Sequence, residues 1–276
     1  MTTSVWAFLP RKAFAFVRRD FLTDASYRLA WLLQSAEILL IAAIAYFLGR
    51  FLRQQGLEAV TSFAHDYFSF VILGIAFFDY LGTALNSFAH AIREGQVTGT
   101  LETLLVTQTR LESIVLGSSL YPFLSSTARV TSYLVVGALF FGLPLGNADW
   151  GAALLLLALS IVAFSSFGIV SASFTLLFKR GDPFTWLLLG ASGLLGGVFY
   201  PVAVLPPWLK AVAQFLPITY CLEGMRRALL AGDGVAELRR ETLVLLLFAG
   251  VGLPLALALF RWSVHRAKLT GALAQY

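Results

Sequence analysis

Residues 151–178 read GAALLLLALSIVAFSSFGIVSASFTLLF and contain no charged side chain. An α-helix rises about 1.5 Å per residue, so this stretch is long enough to cross about 30 Å of membrane hydrocarbon with some tilt. The composition of the 276-residue chain agrees, because 58% of its residues are hydrophobic and 13% are charged, whereas charged residues make up about a quarter of a soluble domain. The sequence therefore predicts an all-α integral membrane protein.

Five further apolar runs flank this stretch and give six predicted transmembrane helices in all. The least regular run is 184–200, where Asp182 and Pro183 are typical of a helix N-cap and first turn. Several glycines in its second half allow either close packing by a neighbouring helix or a bend. We expect one transmembrane domain over residues 28–262, with spans at residues 29–48, 67–89, 113–141, 151–178, 184–200 and 242–262.

The N-terminal residues 1–27 mix basic and aromatic side chains. Phe14 and Phe21 fall on one helical face with Lys12 and Arg19 roughly opposite, which favours an amphipathic interfacial helix lying on an anionic membrane surface. A frayed basic tail is the alternative. No compact apolar core followed by a small-residue cleavage site occurs here, so we do not predict a removable signal peptide.

The basic residues predict the orientation of the chain. With the N-terminus inside, twelve Lys and Arg residues flank the spans on the inner side and seven on the outer side, as the positive-inside rule requires. The net charge of +5 therefore reflects orientation in the membrane and indicates no nucleic-acid partner, because the basic residues cluster at the ends of apolar runs. Both termini, including a tail at residues 263–276, are predicted to be cytoplasmic.

The polar loop, residues 93–110, reads REGQVTGTLETLLVTQTR and separates the second and third predicted spans. Two glycines break the apolar pattern, and residues 100–105 then form a short helix with leucines on one face and Glu102 and Thr103 on the other. A helix this short is not stable alone. It either lies flat at the lipid boundary or docks into a soluble partner, and an ordinary interhelical loop is the simpler alternative.

The proline hairpin, residues 201–232, is apolar but is interrupted by four prolines, which disfavour one continuous helix. Two short helices fit better. We expect Thr219 to cap the second of them and Glu223 to pair with Arg226 or Arg227. The segment is predicted to be an outer re-entrant helical hairpin, covered by protein or by a watery cavity. A plain extracellular loop is the alternative.

Three ionisable residues lie within the predicted spans, namely Glu37, Asp79 and Arg129. Such residues are costly in a bilayer and are functional candidates by default. Asp79 and Arg129 lie near the middle of adjacent spans, and their equal depth and opposite charge predict a buried ion pair. The functional alternative is that one of them faces the transport path and contacts a polar headgroup.

The sequence lacks the motifs of common membrane enzymes. No GxxxxGK[ST] phosphate loop occurs, so this chain cannot bind ATP in the P-loop manner. His65, His90 and His265 are scattered, and Cys221 is the single cysteine, so we predict no metal site. An enzyme is therefore disfavoured, and any ATP must be hydrolysed by a separate polypeptide.

Taken together, these features resemble the permease subunit of type-2 ABC exporters. The segments GQVTGTLETLL (residues 95–105) and FYPVAVLPPWLKAVAQFLPITYCLEGMRRALL (residues 199–230) carry most of the specificity. The resemblance implies that the polar loop is a cytoplasmic coupling helix that docks into an ATPase. It also implies a working unit of two permeases and two ATPases, with ATP and Mg on the ATPases. One departure is Thr107-Gln108, where the family has a small residue followed by proline.

The resemblance also assigns roles to individual residues. ATPase coupling is implied for Glu94, Gly99, Thr100, Leu101, Glu102 and Leu105. An outer gate is implied for Pro201, Pro206, Pro217, Tyr220, Glu223 and Arg226.

The function implied by the resemblance is export of an amphipathic or lipid-like molecule, such as a drug, a lipid or a lipid-linked glycan. The chain would act in a bacterial or archaeal inner (plasma) membrane, among membrane lipids, as a homodimer or with a similar permease. Two alternatives stay open. One is a scaffold that recruits a cytoplasmic partner without transport, and the other is an ion-driven secondary transporter, which would more naturally show an inverted repeat.

Overall fold

The computed structural model describes residues 17–54, 66–97, 111–177 and 183–269, and the regular elements in these ranges are all helical. The sequence-based prediction of an all-α fold is confirmed for this part of the chain. Three short elements accompany the helices, namely a 3-10 turn at Val202–Val204 and π-helical segments at Arg227–Ala231 and Phe248–Gly252. The α-helices are α1 (residues 17–26), α2 (Arg28–Gln54), α3 (Tyr67–Val97), α4 (Leu111–Phe141), α5 (Trp150–Leu177), α6 (Pro183–Leu195), α7 (Pro207–Ala213), α8 (Pro217–Arg226), α9 (Arg239–Leu247) and α10 (Leu253–Leu269).

Within the described residues, five helical stretches are long and apolar enough to cross a membrane. They correspond to the first, second, third, fourth and sixth predicted spans. The last of them contains both α9 and α10, because the π-helical segment between them continues the helix without a break. The five stretches are Leu29–Gln54, Tyr67–Glu94, Ser119–Phe141, Trp150–Leu177 and Arg239–Ala267.

The structure differs from the predicted fifth span at residues 184–200. Here α6 has 13 residues, or about 20 Å, which is shorter than the about 30 Å of hydrocarbon. The chain bends after Leu195 because Gly197 adopts a left-handed φ of +82°, a conformation that glycine adopts without steric cost. The bend turns the chain into the proline hairpin instead of continuing the helix.

Helix α3 forms the centre of the bundle. In its span, 72% of the most apolar window is buried, against 22% in the first and last spans. It packs against α2, α4, α5 and α8, and its fully buried side chains include large aromatic residues. A movement of α3 would therefore displace the helices that pack against it.

Glycine allows α5 to approach α3 closely. A Cβ atom at Gly168 on α5 would lie 2.3 Å from the carbonyl oxygen of Ala84 and 2.6 Å from Cδ2 of Phe88, both on α3. The first of these neighbours is backbone, so it cannot rotate away. A larger residue at position 168 would therefore separate the two helices.

We expect the substitution Gly168→Val to destabilise the protein by about 2 kcal/mol or more, because the α3 backbone must shift to admit the side chain. The measurement is the thermal unfolding midpoint of the protein purified in detergent. Gly190→Val is the matched control, since a Cβ atom there meets nothing within 4 Å. The expectation fails if the Gly168→Val protein unfolds at the same temperature as the control.

The proline hairpin contacts the start of α3, and the polar loop begins at the other end of this helix. Phe70, in the first turn of this helix, contacts Arg226 of the hairpin, whereas residues 93–97 of the polar loop form the last residues of the helix. The 31 residues of α3 extend about 46 Å, which exceeds the hydrocarbon thickness. The two ends of α3 are therefore farther apart than the hydrocarbon is thick.

Candidate functional site

The proline hairpin contains two short helices, as its prolines predict. Pro207 is the first residue of α7 and Pro217 the first residue of α8, where a missing backbone N–H leaves no hydrogen bond unmade. Pro206 precedes α7, and Pro201 precedes the 3-10 turn. The prolines thus divide the segment into short helical pieces between which the chain can change direction.

Thr219 has a different role from the predicted helix cap. Leu216 occupies the N-cap position of α8, and no side chain caps this helix. The Thr219 hydroxyl instead donates a hydrogen bond to the carbonyl oxygen of Ala213, at 2.9 Å. Because Ala213 is the last residue of α7, this bond connects the two short helices. The prediction was wrong because Pro217 starts the helix two residues before Thr219.

Arg226 connects the hairpin to α3. The side chain is buried, with 6% of its surface exposed. Its Nε and Nη2 atoms donate to the carbonyl oxygen of Phe70 at 3.2 and 2.9 Å, and Nη2 also donates to the carbonyl oxygen of Val198 at 3.2 Å. The guanidinium also lies over the Phe70 ring, 3.4 Å from its centroid, an attractive cation–π arrangement. One side chain therefore joins α8, α3 and the bend after α6.

The predicted pairing of Glu223 with Arg226 or Arg227 is wrong. The Arg226 guanidinium binds backbone carbonyls, and Arg227 forms ion pairs with Asp233, at 2.6 Å, and with Glu241, at 3.4 Å. Helical spacing would allow either arginine to reach Glu223. Both arginines instead bind groups brought close by tertiary packing, because buried carbonyls and the buried carboxylate of Glu241 need hydrogen-bond donors. Arg227 thereby joins the end of the hairpin to α9.

Gly74 makes the contact between Arg226 and Val198 possible. A Cβ atom at this position would lie 2.1 Å from the Val198 carbonyl oxygen and 2.9 Å from Nη2 of Arg226. Only a glycine on this face of α3 lets the bend approach so closely. Sequence reasoning missed Gly74, and the sole signal was a glycine inside an apolar run.

A cavity of about 350 Å³ lies beneath the proline hairpin. Of the predicted gate residues, Pro201, Tyr220, Glu223 and Arg226 line this cavity, whereas Pro206 and Pro217 do not. The lining residues are Phe70, Gly196, Gly197, Pro201, Val202, Ala203, Lys210, Gln214, Thr219, Tyr220, Glu223, Arg226 and Arg240.

The charges at this cavity influence one another. Burial raises the pKa of Glu223, and the nearby Glu241 carboxylate raises it further, while Arg240, Arg227 and Arg226 lower it. Burial lowers the pKa of Arg226 from its ordinary value, yet a guanidinium stays protonated at physiological pH. The cavity thus holds a permanent buried cation beside a carboxylate whose charge depends on its neighbours.

The predicted intramembrane charges lie together between α3 and α4. Nη2 of Arg129 is 2.7 Å from Oδ1 of Asp79. Asp79 Oδ2 and Arg129 Nε are buried without a hydrogen-bond partner. Most of the favourable interaction that offsets the burial of each charge therefore comes from the other residue of the pair. Glu37 on α2 is exposed. Whether the pair serves the structure or the transport path stays a prediction.

We expect Asp79→Asn and Arg129→Gln each to destabilise the protein by about 3 kcal/mol or more, because either change leaves one uncompensated charge inside the membrane. The double variant is expected to recover part of this loss, since it removes both charges. Unfolding midpoints of the four proteins in detergent give the coupling between the two residues. If the losses of stability in the two single variants simply add up in the double variant, the pair contributes nothing to stability.

Of the predicted coupling residues, only Glu94 lies in the described part of the chain. It is exposed near the end of α3, where the first residues of the polar loop belong to this helix. Gly99, Thr100, Leu101, Glu102 and Leu105 lie outside the described residues, as does most of the predicted interfacial helix. Among the described residues, no group of three His, Cys, Asp or Glu side chains is placed to hold a metal ion.

Comparison with known proteins identifies the family. The family described as ABC-2 type transporter matches residues 12–230. The chain belongs to the ABC-2 type transporter family. The match includes the whole polar loop and all but the last two residues of the proline hairpin, so the resemblance predicted from these two segments is confirmed.

Individual relatives of this ABC-2 permease match it at low sequence identity. The inner membrane transport permease YadH of Escherichia coli K12 is 26% identical over 172 residues, which is 62% of this chain and 66% of YadH. Nodulation protein J of Rhizobium leguminosarum bv. trifolii is 28% identical over 176 residues, 63% of this chain and 64% of the relative.

The linearmycin resistance permease protein LnrN of Bacillus subtilis is 23% identical over 131 residues, 44% of this chain and 34% of LnrN. The matched region thus spans less than two thirds of each relative's length. With its apolar helices, the family places this chain among integral membrane transport proteins.

Proposed function

We propose that this chain is the permease subunit of an ATP-driven exporter that moves an amphipathic or lipid-like molecule outward across the membrane. The observation that carries the proposal is the family match over residues 12–230. Further support comes from the 31-residue helix α3, which contacts the proline hairpin at its start and leads into the polar loop at its other end. A transporter driven from one membrane face and opened at the other needs this separation.

The polar loop receives the energy in this proposal. A dimer of separate ATPase subunits holds ATP and Mg, and the loop docks into it through Glu94, Gly99, Thr100, Leu101, Glu102 and Leu105. The loop joins α3 to α4 in the chain, so displacement of the loop moves both helices. Nucleotide acts by favouring one of two arrangements of packed helices, because it binds the ATPases differently in each.

Helix α3 carries this movement to the proline hairpin. The Asp79–Arg129 pair holds α3 and α4 together midway along their length. Arg226 joins α8 to the first turn of α3. The hairpin therefore follows α3 when the helices tilt, and it serves as an outer gate that limits return of the substrate.

A second copy of this chain completes the transport path in our proposal. The outward surfaces of α2 and α6 carry large apolar side chains, among them Phe47, which is 62% exposed, and Trp186, which is 80% exposed. These surfaces are available to lipid or to the second permease. Both termini lie in the cytoplasm, and the membrane is a bacterial or archaeal inner membrane, in line with the name of YadH.

We propose the chemical class of the substrate and not an individual molecule. The names of LnrN and nodulation protein J refer to linearmycin resistance and to nodulation, so the relatives share no named substrate. An amphipathic substrate fits a bundle whose outward side chains are mostly apolar and whose cavity beneath the proline hairpin is lined by charged residues.

The proposal is tested by purifying the chain together with its ATPase and measuring ATP hydrolysis in lipid. We expect the complex to hydrolyse ATP faster than the ATPase alone, and the correct substrate to raise the rate further. A stable complex without stimulated hydrolysis and without transport would instead favour a scaffold. Transport that needs an ion gradient and no ATP would favour a secondary transporter.

A further inference from the structure

The cavity beneath the proline hairpin has the size of a headgroup site. Its volume of about 350 Å³ is at the lower end of the range for small-molecule sites. It is formed by the hairpin helices α7 and α8, the bend after α6 and the start of α9. A cavity of this size holds a polar headgroup, but a whole lipid would have to leave its chains outside.

Cationic side chains from three different helices meet at this cavity. Lys210 lies on α7, Arg226 on α8 and Arg240 on α9, and Glu223 is the one carboxylate among the lining residues. Neither Lys210 nor Arg240 forms an ion pair with another residue in the described part of the chain. The cavity therefore has an excess of positive charge that the protein itself does not neutralise.

Arg226 adds a donor that faces the cavity. Its Nε and Nη2 atoms are bonded to carbonyl oxygens, but Nη1 donates to no residue within the described ranges. Nη1 lies 3.9 Å from the position that a Cβ atom would take on Gly197, a lining residue. Nη1 is not among the side-chain atoms that are both buried and without a partner, so this edge of the guanidinium is accessible and can donate to a ligand in the cavity. Tyr220, on the same helix, also lines the cavity.

Apolar side chains stand exposed on the same hairpin. Val204 is 70% exposed, Trp208 68% and Phe215 76%. These residues offer contacts to hydrocarbon chains close to a cationic cavity. The hairpin thus presents the two surfaces that one amphiphile needs, a cationic site for its headgroup and an apolar surface for its tail.

We infer that this cavity binds the phosphate group of an amphiphile, with Lys210, Arg240 and the Nη1 edge of Arg226 as donors to the phosphate oxygens. Guanidinium groups suit phosphate because their planar N–H groups pair with two oxygens at once. Glu223 accepts a hydrogen bond from a hydroxyl or ammonium group on the same headgroup. The inference deepens the proposed function, because it assigns a phosphate group to the molecule that passes the gate.

The test is a binding titration on the full chain in neutral detergent, without ATPase or nucleotide. The probes are dioctanoyl phosphatidic acid, dioctanoylglycerol, which lacks the phosphate, and inorganic phosphate. Apparent Kd values come from the ligand-dependent rise of the unfolding midpoint. The test variant carries Lys210→Gln and Arg240→Gln, and Arg239→Gln is the matched control, because Arg239 is an exposed neighbour that does not line the cavity.

We expect the wild-type protein and the Arg239→Gln control to bind phosphatidic acid at least about tenfold more tightly than either other probe. The double variant is expected to lose about tenfold or more in affinity, since it removes two charged donors. Equal Kd values for the control and the double variant would overturn the inference. Equal binding of dioctanoylglycerol would show that phosphate is not recognised, and equally tight binding of inorganic phosphate would overturn the amphiphile as its source.

This titration is independent of the exporter assay. A chain that binds phosphatidic acid but fails to stimulate an ATPase would contradict the proposed function alone. A stimulated ATPase without phosphate binding would contradict this inference alone.

Discussion

Replacing Arg226 by Gln will abolish transport and lower the stability of the protein by about 3 kcal/mol or more. The change removes the charged donors that satisfy the buried carbonyl of Val198 and the carbonyl of Phe70, and each hydrogen bond from a charged group contributes about 1.5 to 3 kcal/mol. It also removes the cation–π contact with the Phe70 ring. The hairpin then loses its attachment to α3.

The readouts for the Arg226→Gln variant are the unfolding midpoint in detergent and substrate transport in reconstituted membranes. Arg226→Lys is expected to recover little of either, since an ammonium cannot present the same fork of donors to two carbonyls. Arg239→Gln again serves as the surface control. If the Arg226→Gln protein is as stable and as active in transport as the wild-type protein, the hairpin does not depend on this attachment.

Reversing the charge of Glu102 in the polar loop will release the ATPase. A reversed charge at a docking surface costs about 2 to 5 kcal/mol when it is buried by the partner, which weakens the complex by about 30-fold or more. We expect Glu102→Arg to lose both copurification of the ATPase and stimulation of its ATP hydrolysis.

The control for Glu102→Arg is Glu237→Arg, an equal charge reversal at an exposed residue between the hairpin and α9. In the proposed orientation this residue lies on the outer side of the membrane with the hairpin, so complex formation is expected to be unaffected. An intact, fully active complex with Glu102→Arg would exclude this residue from the docking surface.

The length of charge-free apolar sequence was enough to predict most of the fold. The fourth span, predicted at residues 151–178, is observed as Trp150–Leu177, because crossing hydrocarbon depends on composition over a whole helix and on few particular contacts. The fifth predicted span ends early at Leu195. A glycine-rich apolar run is compatible with both a straight helix and a bend, and the left-handed Gly197 becomes evident only in the structure.

Side-chain partners were harder to predict than helices. Helical spacing suggested Glu223 as the partner of Arg226, but the guanidinium reaches Phe70, which is 156 positions away in the chain. Such a contact depends on tertiary packing and on a glycine at position 74. Asp79 and Arg129 could be matched from equal depth and opposite charge, because neighbouring spans restrict the partners available to a charge inside a membrane.

The central claim is that ATP hydrolysis by a separate subunit, delivered through the polar loop, drives outward transport. Its most direct test is transport by the reconstituted complex in proteoliposomes whose ion gradients have been collapsed by ionophores. The account predicts that transport continues under these conditions and stops when ATP is replaced by a non-hydrolysable analogue. Transport that continues without ATP hydrolysis but stops when the ionophores are added would contradict it.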